Sequence, residues 1–193
     1  MSLPHCDPLF TKFLAPWYSS GEKNRKQFDA TRPDILTIKE CIGVPVSELG
    51  ILSSEGESEV KSRIEIMLNA SRGDWPKFLK VSGEIDEIWV AKFDRYYNRK
   101  RVAELIARSD PTDFSNDYLV SVCEFGAVLG HVLISKQPRL VWLYDSPYWE
   151  SSLLDTHTGS IIPPFHWAIK KLSGYGVDDG FTEKIEMCLQ MLE

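Results

Sequence analysis

The stretch 114-FSNDYLVSVCEFGAVLGHVLISKQPRLVWLYDSPYWESSLLDTHTGSIIPPFHWAIKK-171 decides the fold. Tyr118, Val122, Phe125, Leu129 and Val132 recur at spacings of three and four. That periodicity predicts a helix from near Phe114 to Lys136, capped by Thr112 or Asp113 and stopped by Pro138. Arg139–Tyr144 reads as a buried strand, Tyr148–Asp155 as a second and Ser160–Ile162 as a third, with turns at Asp145–Pro147 and Thr158–Gly159. Pro163 and Pro164 exclude a central strand but suit the first turn of a helix carrying Phe165, Trp167, Ile169 and Leu172, which Gly174 and Gly176 end. The expected unit is therefore a helix, a small antiparallel meander near residues 139–162 and a second helix.

Outward from this unit the patterns are helical. Leu9, Phe10, Phe13, Leu14 and Trp17 give the arm Pro4–Tyr18 a short amphipathic helix, followed by a polar loop Ser19–Ala30 with a basic cluster Lys23, Arg25 and Lys26. Ile35, Ile38 and Ile42 predict a helix over Asp34–Ile42. Ser54 and Glu57 make a capping box for a helix carrying Val60, Ile64, Met67 and Leu68, which the run Arg72–Asp74 ends near Ala70, leaving Trp75–Val81 as a connector. Ile85, Ile88, Trp89, Phe93 and Tyr96 continue, after a phase slip at Arg99, into Val102, Leu105 and Ile106, which predicts a kink or two helices. Asp178 or Asp179 caps a last helix bearing Phe181, Ile185, Cys188 and Leu192. The class that results is α+β, mostly helical, as a single domain over 1–193 in which 1–55 forms an N-terminal subregion packed on a 56–193 body.

Composition sets limits on function. With 43% hydrophobic and 26% charged residues the chain has the make-up of a globular protein, and its net charge of −6 argues against a surface built for nucleic acid. No basic leader precedes an apolar run at the start, and no span of about 18 apolar residues is read anywhere, so a cytoplasmic protein without a membrane segment is expected. Cys6, Cys41, Cys123 and Cys188 stand too far apart for a CxxC pair or a zinc ribbon, and free thiols follow. No cofactor and no metal are expected from these spacings.

The candidate residues fall in the central stretch. Glu124 and His131, seven apart on one helix, lie near one face, but that spacing spans about 10 Å, too far for a direct hydrogen bond. In an enzyme reading Glu124 is a base or ligand and His131 its partner, with Asp145 or His166 arriving from the meander and the following helix. Gly126 and Gly130 remove side chains so that a neighbour, such as the helix bearing Trp89, approaches closely. Asp155 and His157 read as turn chemistry. Trp142 and Tyr144 share one strand face and, with Tyr148 and Trp149, read as an aromatic binding surface if that face is exposed and as core packing if it is covered.

The order Phe125-Gly126, Leu129-Gly130, then Trp142, then Ile162, Pro164, Phe165, Lys170 or Lys171, Leu172 and Gly174 resembles a pattern in uncharacterised bacterial domain proteins. The resemblance covers the C-terminal third. It implies a shared helix, meander and helix unit and transfers no catalytic residue. Three readings of function stand: a cytoplasmic non-enzymatic protein-interaction or regulatory domain of the immunity-protein kind, acting on a protein partner; a hydrolase or metal-dependent enzyme using Glu124, His131, Asp145 and His166; and a small-ligand binding domain.

Overall fold

Fourteen buried residues on a single long helix cannot all face one neighbour, so the chain packs against that helix from several sides. The computed structural model describes residues 2–23 and 28–192. In chain order the elements are α1 (Cys6–Phe13), α2 (Ser20–Lys23), β1 (Leu36–Thr37), α3 (Val46–Leu49), α4 (Ser54–Leu79) and α5 (Glu87–Tyr96). There follow α6 (Arg99–Arg108), α7 (Asp117–Lys136), β2 (Leu140–Leu143), β3 (Ser152–Asp155), β4 (Ser160–Ile162), α8 (Pro164–Lys171) and α9 (Phe181–Met191). Single 3₁₀ turns lie at Ala15–Trp17, Lys39–Cys41 and Tyr148–Glu150. The protein is thus α+β and mostly helical, with a small antiparallel sheet in the order β1-β4-β3-β2.

At the centre is α7, with Val122, Cys123, Phe125, Val128, Leu129 and Val132 fully buried. By length and apolarity alone α7 is able to cross a membrane, contrary to the sequence expectation; 78% of its apolar window is buried inside the protein, as for a core helix. Its glycines explain how neighbours come so close. A Cβ on Gly126 would overlap the Phe165 ring of α8, and one on Gly130 would overlap the Trp142 indole of β2. The close approach is therefore made by α8 and β2 and not by the Trp89 helix. One hydrophobic cluster runs from Cys6 and Phe13 in the arm to Leu192, so residues 2–52 and the body share a core.

Several local signals lose to tertiary contacts. The isoleucine spacing over Asp34–Ile42 does not give a helix: Leu36 pairs with Ile161, Ile38 N–H donates to Gly159 O at 2.8 Å, and Gly43 N–H donates to Thr156 O at 2.8 Å. Backbone hydrogen bonds to the β3–β4 turn satisfy this segment, and Gly159, at φ +71°, leaves room for Ile38 O. Helix α4 runs through Gly73 and Pro76 to Leu79, because burying Trp75 and Leu79 outweighs the local penalty of both residues. Lys80, in the left-handed region, ends it.

The caps shift in the same way. Ser53, and not the Ser54–Glu57 pair, caps α4, its Oγ accepting from Gly56 N–H at 3.2 Å. Asn116 caps α7 through Leu119 N–H at 2.9 Å, while Asp110 and Asp113 instead close turns with Thr112 and Ser115. The phase slip resolves into α5 and α6, with Asn98 capping the second. The second predicted strand starts only at Ser152, since Tyr148–Glu150 forms a 3₁₀ turn after the cis Ser146–Pro147 peptide. Asp178 pairs with Arg99, leaving Gly180 at the start of α9. The loop expected over Ser19–Ala30 contains α2; of its basic cluster, Arg25, Lys26 and the Lys23 side chain lie outside the described residues.

Candidate functional site

The four polar candidates sit in separate environments. Glu124 is buried on α7 and accepts a hydrogen bond from Trp75 Nε1 at 2.8 Å, inside a cluster of Trp75, Phe93 and Phe125. Burial pushes its carboxyl up to about 7, against the opposing pull of the Trp75 N–H, with Asp74 adding a smaller push. Two turns further on, His131 lines a groove of about 210 Å³ with Lys61, Ile64, Glu65, Trp142 and Tyr144. Burial and the Arg72 charge hold its imidazole below the ordinary value, and Glu84 acts the other way.

His166, on α8, is buried with Nε2 3.2 Å from Glu150 Oε2, its ring edge-on to Phe28. Tyr18 Oη donates to the same Glu150 carboxylate and accepts from Trp149 Nε1 at 3.3 Å. Asp145 lies just past β2, where its backbone N–H meets Ser151 Oγ at 3.0 Å and its Oδ1 accepts from Ser146 N–H at 2.7 Å. His131 and His166 line different cavities, and Glu124 and Asp145 line neither. Asp155 Oδ1 accepts from His157 N–H at 2.8 Å and its Oδ2 lies 3.3 Å from Arg139, so the DTHTG stretch does make a turn. The thiols of Cys123 and Cys188 are each pushed up to about 12 by burial, which keeps them in the poorly nucleophilic protonated form.

The aromatic set has a more continuous geometry. Trp142 of β2 and Tyr144, just past its end, stack at 6.3 Å with an interplanar angle of 14°. Tyr148 and Trp149 lie across the Ser146–Glu150 connection, and with them the chain builds a second, larger cleft of about 330 Å³. It is lined by Pro147, Tyr148 and Trp149 and by one flank of α4, with Val60, Arg63 and Met67. Trp17 from the arm and Phe114 from the loop before α7 close the other side. Trp17 meets Phe114 edge-on at 5.1 Å, Phe114 lies 6.3 Å from Trp149, and Tyr148 meets Trp149 edge-on at 5.1 Å. The result is one aromatic row from Trp17 to Tyr148.

Helix α4 is the partition between groove and cleft, because residues three and four apart stay on one flank: Lys61, Ile64 and Leu68 line the groove with His131, while Val60, Arg63 and Met67 line the cleft with Trp149. At the cleft mouth Glu59 and Arg63 stand 3.9 Å apart, both largely exposed, and Ser146 Oγ donates to Glu22 Oε1 at 2.6 Å. Such a site takes an apolar side chain against aromatic faces and orients it by charge at the rim. Trp17 and Phe114 are absent from the sequence-derived aromatic set. The available signal was an aromatic residue at each predicted helix edge, where a ring is free to leave the buried stripe.

No family model matches the chain, and no curated protein or solved structure matches it. The fold and the site together define an α+β domain with an open, aromatic-lined cleft.

Proposed function

We propose that the protein is a cytoplasmic, non-enzymatic interaction domain that docks a basic protein partner in the Trp17–Phe114–Trp149–Tyr148 cleft, in the manner of an immunity protein. The observation that carries this reading is an aromatic row whose Phe114 stays 48% exposed next to Ile66 of α4 at 50%. Buried aromatic anchors ringed by charge are what binding hot spots consist of. The net charge of −6 and the exposed Glu55 and Glu59 on the first turns of α4 favour a basic partner and speed its approach.

The test uses tagged full-length protein as bait in lysate of its native host, comparing the wild type, Ile66→Asp/Phe114→Asp, and Met187→Asp on the distant α9. The expected result is one basic protein held in stoichiometric amount by the wild type and Met187→Asp, with affinity reduced about thirtyfold or more in the cleft variant. A partner retained equally by all three would place binding elsewhere, and the absence of any stoichiometric partner would overturn the proposal.

A further inference from the structure

Three consecutive side chains normally diverge, alternating on a strand or fanning by about 100° on a helix. At the start of α1 they do not. His5 is extended at φ −66° and ψ 162°, while Cys6 and Asp7 begin the helix, and this change of backbone turns all three side chains toward one point. Their donor atoms lie within 4.8 Å of one another. Cys6 Sγ is 3.6 Å from His5 Nδ1, and His5 Nδ1 is 2.7 Å from Asp7 Oδ2.

We propose that His5, Cys6 and Asp7 form a three-ligand site for a divalent transition metal of the zinc class. Imidazole, thiolate and carboxylate are the donors such an ion takes, and bonds of about 2.0–2.3 Å in a tetrahedron set donor–donor edges of roughly 3.4–3.6 Å. The nitrogen–sulfur edge is already at that length. The nitrogen–oxygen edge reaches it when the Asp7 carboxylate turns away from its present hydrogen bond by under about 1 Å.

The surroundings support the same donors. Asp7 Oδ1 accepts from Ala30 N–H at 3.2 Å, which anchors the carboxylate, and the His5 ring is edge-on to Tyr175 at 5.0 Å and 80°. The helix N-terminus favours both the thiolate and the carboxylate, giving two negative charges for a dication. Lys170, whose charge reaches Cys6, is itself held by Asp34 at 3.0 Å. His5 is half exposed and opens the site to solvent, and the fourth position is left to water or an exogenous ligand. Binding is a proton exchange without redox change: Cys6–SH plus M²⁺ gives Cys6–S⁻–M²⁺ plus H⁺, the proton passing to solvent.

Co²⁺ titrated into the reduced full-length protein tests the site. One equivalent should produce a thiolate-to-cobalt charge-transfer band in the near ultraviolet. His5→Ala, a change at an exposed residue, should weaken binding at least about tenfold while the circular dichroism spectrum stays unchanged. Absence of the band, a band of undiminished affinity in His5→Ala, or a band that persists in Cys6→Ser and so belongs to another cysteine would each overturn the proposal.

Discussion

The unit Asp117–Lys171 and the segment Pro4–Leu52 are held in place by different forces. Within the unit, α7 meets α8 and β2 through interdigitated apolar surfaces that Gly126 and Gly130 allow to touch. The N-terminal segment also contributes apolar side chains, but its path is fixed by polar bonds to distant residues. Gly174 N–H donates to Pro4 O at 2.7 Å, Trp167 Nε1 to Asp34 O at 2.9 Å, and Lys170 Nζ to Arg32 O at 2.9 Å. Tyr18 and Ile38 add bonds to Glu150 and Gly159. A packed unit tolerates little change of shape, whereas a strap tolerates change of shape but not loss of partners. The cleft lies where the two meet, Trp17 coming from the strap and Phe114 from the loop leading into the unit.

The comparison breaks most readily at Gly126. Gly126→Val should lower unfolding stability by about 3 kcal/mol or more, since the new Cβ meets the Phe165 ring and, at 2.9 Å, its Cα, neither able to retreat. An unchanged urea midpoint would show that α7 and α8 are not packed as described. The next effect is a pH dependence inside the unit. Glu124 has its carboxyl raised from 4.5 to about 7, so the folded state holds a proton that the unfolded state releases. Stability from this group is present below about pH 4.5 and is lost as pH rises through about 7, a change on the order of 3 kcal/mol. Glu124→Gln should remove that decline and be the more stable protein at pH 8, as measured by thermal melts from pH 4 to 8.

Smaller effects should come from the strap. Tyr18→Phe deletes the donor to Glu150 and the acceptor of Trp149 Nε1, costing about 1–2 kcal/mol. Hydrogen exchange should quicken between Pro4 and Leu52 while α7 amides keep their protection; equal loss in both regions would abolish the distinction between strap and unit. The smallest effect has the opposite sign. Gly73 on α4 has open space where a Cβ would go, so Gly73→Ala should stabilise by up to about 1 kcal/mol in the same urea assay. Two mid-helix glycines thereby answer to different physics, and only their neighbours tell them apart.

Much of the unit is legible from its residues because its signals are local. The α7 periodicity, Pro138, the Trp142–Tyr144 alternation, the strand Ser160–Ile162 and the proline start of α8 all act within a few residues of where they are written. The strap is not legible in this way. Strand β1 exists because Leu36 finds Ile161, and no property of Ile35, Ile38 and Ile42 announces a partner that far along the chain. Trp75 inverts the same lesson: the run Arg72–Asp74 signals a stop, and packing of Trp75 against Trp89, Phe93 and Phe125 cancels it. The candidate site divides likewise. Tyr148 and Trp149 are readable as aromatics beside the meander, but the burial of Trp149 and its union with Trp17 and Phe114 depend on a docked arm.

The sequence by itself determined the class, the core helix with its two small residues, the meander and the free state of four separated thiols. Only the tertiary structure decided which partners fill the glycine gaps, that Glu124 spends its hydrogen bond on Trp75 and His166 faces Glu150, and that α4 divides one aromatic surface into a groove and a cleft. The physical reason is range: helix periodicity, capping and turn chemistry act within a few residues, whereas burial and pairing are settled by whatever the folded chain brings alongside.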